Sequence, residues 1–203
     1  MAEGFRFPLT TEEAYRLLYT AYKAEVQLRG RILKTDAETT RVVAEVARFL
    51  TQKQGVLTGL MFCGTCGNGK TTLLRAIQNS LNWLSAHNAL PSDYALQGYN
   101  EMTIKDAKQI ANEMSRSDKS GRVKQIPVLA IEDMGREPAE VLDFGNVSNP
   151  IVDLIEDRYN SRLFTFITTN LTGKQIREKY GARVADRLNE MLHVVVFKNP
   201  TFR

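Results

Sequence analysis

The chain has 203 residues, 43% of them hydrophobic and 25% charged, which is a globular composition long enough for one sizeable core. No apolar run approaches the ~20 residues needed to span a membrane, and the N-terminus, with Glu3 and Arg6, lacks a signal-peptide core, so the expectation is a cytoplasmic protein without a membrane partner. A net charge of +4 and a pI of about 9.1 permit contact with nucleic acid without demanding it.

Thr10-Thr11-Glu12-Glu13 is a capping box, and Tyr15, Leu18, Tyr22 and Val26 fall on one face, which predicts a helix from about 11 to 33. That stripe either docks a partner or packs on the protein's own core. Asp36 can cap a second helix whose apolar stripe is Val42, Val43, Val46, Phe49 and Leu50, ended by Gly55. Residues 57–63 then read as an apolar strand, and Gly64-Thr65-Cys66-Gly67-Asn68-Gly69-Lys70-Thr71 follows as a complete G-x-x-x-x-G-K-[ST] phosphate loop. Thr72 opens a stretch with Leu73, Leu74, Ile77, Leu81 and Leu84 at helical spacing. Strand, glycine loop and helix is the context in which this motif binds ATP or GTP. The backbone of the loop and of Thr72 curls around the phosphates, Lys70 reaches the outer ones, and the Thr71 hydroxyl ligates Mg²⁺. Cys63 and Cys66 have C-x-x-C spacing, but one ends the strand, the other lies in the loop, and no second ligand pair occurs.

Pro91 and Gly98 punctuate a loop and a short strand, after which a helix is expected from about 104 to 115. Residues 115–124 read as an exposed loop whose Arg116, Lys119, Arg122 and Lys124 either touch a phosphate backbone or are simply solvated. Ile126-Pro127-Val128-Leu129-Ala130-Ile131 is a buried-strand pattern ending in Glu132-Asp133. An acid at the end of a parallel strand beside a phosphate loop holds Mg²⁺ through its water shell, and a second acid orients or deprotonates the attacking water. The alternative is two acids opening a solvent loop. Leu163-Phe164-Thr165-Phe166-Ile167-Thr168-Thr169-Asn170 is a further strand, and Asn170 at its end either bonds the γ-phosphate or lytic water or serves as a turn residue. Helical patterning over 175–180 and 184–191 precedes a last strand, Val194-Val195-Val196-Phe197. Four or five strands alternating with helices imply a parallel sheet with helices on both faces.

The phosphate loop, then Val128-Leu129-Ala130-Ile131-Glu132-Asp133-Met134-Gly135, then Arg158-Tyr159 and Phe166-Ile167-Thr168-Thr169-Asn170-Leu171, resemble in this order the DnaC/DnaI/IstB family of AAA+ ATPases, over residues 36–203. The resemblance implies an α/β P-loop NTPase of the AAA+ type, a three-layer fold with a central parallel sheet. It divides the chain into a helical appendage over residues 1–35 and an ATPase domain over 36–203. By resemblance, Lys70 and Thr71 are the Walker A pair, Glu132 and Asp133 the Walker B acids, and Asn170 is sensor 1. Arg187, in Gly181-Ala182-Arg183-Val184-Ala185-Asp186-Arg187-Leu188, is the candidate arginine that reaches the neighbouring subunit's nucleotide, and Arg183 is the runner-up.

The implied cofactors are ATP and Mg²⁺. The implied partners are a replicative ring helicase or a transposase, and DNA, single-stranded in the first case, with nucleotide-dependent homo-oligomers as the working form. Helicase loading in DNA replication is the leading activity and IstB-like assistance to a transposase the alternative. A weakly hydrolysing nucleotide-gated scaffold and a P-loop small-molecule kinase are the readings from other classes. Two features depart from the family: Glu132 stands where Asp is usual and Asp133 where many AAA+ proteins place Glu, which leaves open which acid serves the metal. The segment 141–150, with Phe144-Gly145-Asn146 and Asn149-Pro150, looks like an insertion. Asn199-Pro200-Thr201-Phe202-Arg203 is similar to the family's short C-terminal tail, so a complete chain without a helical lid is expected.

Overall fold

A computed structural model describes residues 4–33, 36–52, 55, 57–115, 117–138, 141–143 and 146–199. The sequence features that fall on Glu3, Arg116, Phe144, Gly145 and Pro200 to Arg203 lie outside the described residues. Contacts group the chain into two units, one holding residues 1–55, 64–102 and 195–203 and the other residues 56–63 and 103–194.

In the first unit, α1 (Thr11–Leu28) opens with the expected capping box: the Thr10 hydroxyl accepts from the Glu13 N–H at 3.3 Å and Glu13 Oε2 accepts from the Thr10 N–H at 2.8 Å. It ends earlier than the expected residue 33, because Gly30 turns left-handed at φ +67°. Leu18 is fully buried and Tyr22 nearly so where α1 lies on α2 (Ala37–Thr51) and α3 (Lys70–Ala86), so the apolar stripe is used in the protein's own core. Asp36 caps α2 as expected, its Oδ1 accepting from the Thr39 N–H at 2.6 Å. A one-turn helix, α4 (Tyr94–Gln97), occupies the loop punctuated by Pro91 and Gly98.

The sheet contains β1 (Gly59–Cys63), β2 (Thr103–Asp106), β3 (Val128–Met134), β6 (Phe164–Thr169) and β7 (His193–Val196) in the order β2-β3-β6-β1-β7. It is parallel with helices on both faces, the fold class expected from the sequence. Every residue of β6 is buried, as befits a central parallel strand. Cys63 of β1 and Met134 of β3 both pair with Thr169 of β6, so these three strands end together. No described helix is long and apolar enough to cross a membrane.

The helix expected from about 104 begins only at Ala107, because Thr103–Asp106 pairs with β3 as β2, and three further segments differ from the sequence reading. Residues 115–124 are not an exposed loop: after α5 (Ala107–Met114) comes a helix, α6 (Ser117–Lys124), whose Val123 joins the core formed with α5 and α7 and whose Lys124 ion-pairs with Asp157 at 2.6 Å. The basic composition and Gly121 conceal the inward-facing Val123. Residues 141–143 and 146–148 pair antiparallel, as β4 (Val141–Asp143) and β5 (Asn146–Ser148). The third is α7 (Pro150–Ser161), unforeseen although its signals are ordinary ones: Asn149 Oδ1 accepts from the Val152 N–H at 3.3 Å, Pro150 takes the first turn, and Ile151, Leu154, Ile155 and Arg158 are buried at helical spacing.

Arg158 is fully buried. Its Nε donates to Thr165 Oγ1 at 2.8 Å, Nη1 to the Ile126 carbonyl at 2.8 Å and Nη2 to the Phe164 carbonyl at 2.7 Å. Burial pushes its pKa down to about 9, so it is still a cation at neutral pH, bracing α7 against the segments that start β3 and β6. The Arg158-Tyr159 pair in the sequence motif therefore has a structural cause. The remaining helices, α8 (Gly173–Tyr180) and α9 (Ala182–Met191), contribute Ile176, Tyr180, Val184, Leu188 and Met191 to the core of the second unit.

Candidate nucleotide site

The phosphate loop begins one residue beyond β1 and ends in α3. Gly64 stands at φ +150°, where an added Cβ would lie 2.7 Å from the Phe197 carbonyl oxygen, so the chain leaves the strand here only as glycine. The loop closes on its own lysine. Lys70 is 5% exposed and its Nζ donates to the carbonyls of Gly64 and Thr65, each at 2.7 Å, and to Asn68 Oδ1 at 3.0 Å. Asn68, itself buried, donates to the Phe197 carbonyl at 3.2 Å and so pins the loop to the segment after β7. These described bonds of the buried ammonium go to neutral oxygens, which an anionic phosphate oxygen can replace to advantage.

Gly69, left-handed at φ +99°, hands over to α3, whose first N–H groups have no partner within the helix and form an anion-binding end. Thr65 and Cys66 are exposed and Gly67 and Thr71 half-buried, whereas Thr72 is buried and its hydroxyl accepts from Arg29 Nη1 at 3.4 Å. Neither Cys63 nor Cys66 is part of a disulfide.

In the second unit Glu132 and Asp133 lie within the last turn of β3, where the register with β6 shifts between Ile131 and Met134. Asp133 takes a left-handed backbone at φ +55°, uncommon for a side-chain-bearing residue, and its N–H donates to Thr168 Oγ1 at 2.9 Å. Thr169 Oγ1 donates to the Met134 carbonyl at 2.7 Å and accepts from the Leu171 N–H at 3.1 Å. The two fully buried threonines thus lace the end of β6 to the acid turn. Asp133 Oδ2 is paired with Arg136 Nη1 at 2.7 Å. Asn170 is exposed immediately beyond β6, so the acids and Asn170 sit on neighbouring strand ends.

Arg187 is held elsewhere in this unit, against α7. Its side chain is 14% exposed, its Nη1 lies 2.6 Å from Glu156 Oε1 without hydrogen-bond alignment, and its guanidinium stacks 5.1 Å from the Tyr159 ring centre. Arg183 shares the same Glu156 oxygen at 3.2 Å but is 73% exposed.

Several residues that hold the turn around Glu132 and Asp133 carry no signal in the sequence. Thr168 and Thr169 read only as polar strand-end residues, and Glu137, Lys179 and Tyr180 carried no motif. Only the buried contacts of Glu137 bring the last three together.

No protein-family model matches the chain, and no curated protein matches it in sequence. Solved structures do. A DnaC helicase loader has 21% identity and a TM-score of 0.60 over 82% of this chain and 93% of its own. DnaI has 20% identity and a TM-score of 0.58, covering 89% and 94%. AMPPCP-bound DnaA from Aquifex aeolicus has 16% identity and a TM-score of 0.53, covering 81% of this chain and 48% of its own. The likeness to the DnaC and DnaI proteins suggested by the motifs is thus present in the folded chain. The chain has the AAA+ P-loop fold of the DnaC and DnaI structures.

Proposed function

We propose that this protein is a cytoplasmic ATP-binding and ATP-hydrolysing helicase loader in DNA replication, one that assembles side by side on single-stranded DNA or on a ring helicase. The observation that carries the reading is the glycine-cornered loop closed on Lys70 at the start of α3, in a fold like that of DnaC. AMPPCP bound to DnaA, whose fold is also similar, supports ATP as the nucleotide.

In this reading Lys70 exchanges its neutral oxygens for those of the β- and γ-phosphates, while the N–H groups at the start of α3 take the remaining charge. Thr71 Oγ1 and the carboxylates of Glu132 and Asp133 are hard oxygen donors that suit Mg²⁺. When bound, the metal neutralises charge developing on the transferred phosphoryl group. Of the two acids, one serves the metal and the other orients the attacking water. Asn170 bonds the γ-phosphate or that water. Arg187 acts in trans on a neighbour's nucleotide, for which Glu156 must release it, and Arg183 is the second candidate.

Arg187→Ala is expected to leave ATP binding near normal and to abolish turnover. Mixing it with Lys70→Ala subunits then restores part of the activity, because each variant keeps what the other lacks. No recovery in an ATPase assay of the mixture sinks the trans role of Arg187 and points to Arg183 or to a role in cis. Phosphate release from Asp133→Asn tests hydrolysis itself: a rate equal to wild type favours a nucleotide-gated scaffold. Preference for double-stranded over single-stranded DNA in stimulating turnover favours the IstB-like transposition role.

A further inference from the structure

The turn that follows the strand-end acids is gripped by a buried carboxylate. Glu137 is 3% exposed. Its Oε2 accepts from the Gly135 N–H at 2.8 Å, while Oε1 accepts from the Tyr180 hydroxyl and pairs with Lys179 Nζ at 3.1 Å. Lys179 Nζ also donates to the carbonyls of Gly135 at 2.7 Å and Glu137 at 2.8 Å. A carboxylate out of water is tolerated only when its oxygens are satisfied, and these are satisfied only while the turn and the end of α8 stay together. Burial and the bond to Glu137 also hold the Tyr180 phenol protonated far above the usual range, so the donor is always present.

The segment so gripped is conformationally demanding. Asp133 at φ +55° and Gly135 at φ +112° lie two residues apart, and a Cβ on Gly135 would meet Leu171 Cδ1 at 2.7 Å. A left-handed aspartate persists only where its surroundings over-determine it. Thr168 fixes its N–H from the β6 side; the Glu137 cluster fixes the chain two residues on, from the α8 side.

We infer that Glu137 and Tyr180 are positioning residues for hydrolysis: the brace they form holds the turn so that Asp133 presents its carboxylate correctly, and neither residue touches the nucleotide. The inference rests on the ATPase reading above. It differs from a purely structural role in what it spares, because nucleotide is taken by the phosphate loop and the fold by the core.

Glu137→Gln removes the charge at constant shape, and Tyr180→Phe removes one hydroxyl and remains the usable variant if the first folds poorly. Both are measured as full chains for thermal midpoint, affinity for a fluorescent ATP analogue, single-turnover hydrolysis with Mg²⁺, and hydrogen exchange of the peptide spanning residues 132–137. Expected is hydrolysis slowed by about ten-fold, with affinity changed by less than about two-fold. Exchange should rise in that peptide and at the end of α8, and not elsewhere. Hydrolysis at the wild-type rate overturns the inference, and so does loss of affinity in parallel with hydrolysis and a general rise in exchange. A wild-type chain that binds ATP without hydrolysing it overturns the ATPase reading and this inference with it; an active wild type matched by both variants overturns the inference alone.

Discussion

Lys70→Ala is expected to abolish ATP turnover and to weaken nucleotide binding by about 2 kcal/mol, roughly thirty-fold, the scale of a charge-assisted hydrogen bond lost from a buried site. The lysine is already inside the loop, 5% exposed and bonded to Gly64, Thr65 and Asn68, so nothing need travel to the phosphates from solvent. On binding, the carbonyl oxygens of Gly64 and Thr65 and the Asn68 amide oxygen give way to anionic ones. Lys70→Arg should fail nearly as badly, because a planar fork does not fit a pocket of converging oxygens made for a compact ammonium. Titration with a fluorescent ATP analogue and a phosphate-release assay separate the two effects. Unchanged turnover in Lys70→Ala would remove the foundation of the nucleotide reading.

The second large effect falls on stability. Arg158→Ala should cost about 3–5 kcal/mol, since it both empties a large buried volume and removes the donor from the Ile126 and Phe164 carbonyls and the Thr165 hydroxyl. At about 2–4 °C per kcal/mol for a chain of this size, the thermal midpoint falls by about 6–20 °C. Arg158→Met fills part of the volume but restores no donor, so it should recover only part of the loss. Calorimetry of the three proteins checks this, and an Arg158→Ala midpoint within about two degrees of wild type would show the bonds to be dispensable.

The elements that were legible in the sequence were those with local chemistry. The capping box at Thr10, the Asp36 cap and the phosphate loop each declare themselves within a few residues, and the structure has them where expected. So do the strands ending in Glu132-Asp133 and in Asn170, whose apolar runs have no other use. What stayed hidden depends on residues far apart in the chain. In the basic stretch of α6, Val123 meets a core built from residues far away in the chain. Asn149-Pro150 opens α7 but also closes the segment that looks like an insertion, which hides its capping signal. The contacts of Glu137 with Lys179 and Tyr180 span more than forty residues, and no spacing rule joins them. Residues 11–28, read as part of an appendage, pack in the unit that holds the phosphate loop because Leu18 and Tyr22 need α2 and α3 to cover them.

The most direct test of the proposed function is ATP hydrolysis per molecule across a range of protein concentrations, with and without single- and double-stranded DNA, alongside Lys70→Ala. A self-assembling loader predicts turnover that rises with concentration, rises further with single-stranded DNA and vanishes in Lys70→Ala. Turnover that is absent, or flat in concentration and indifferent to DNA, would contradict it.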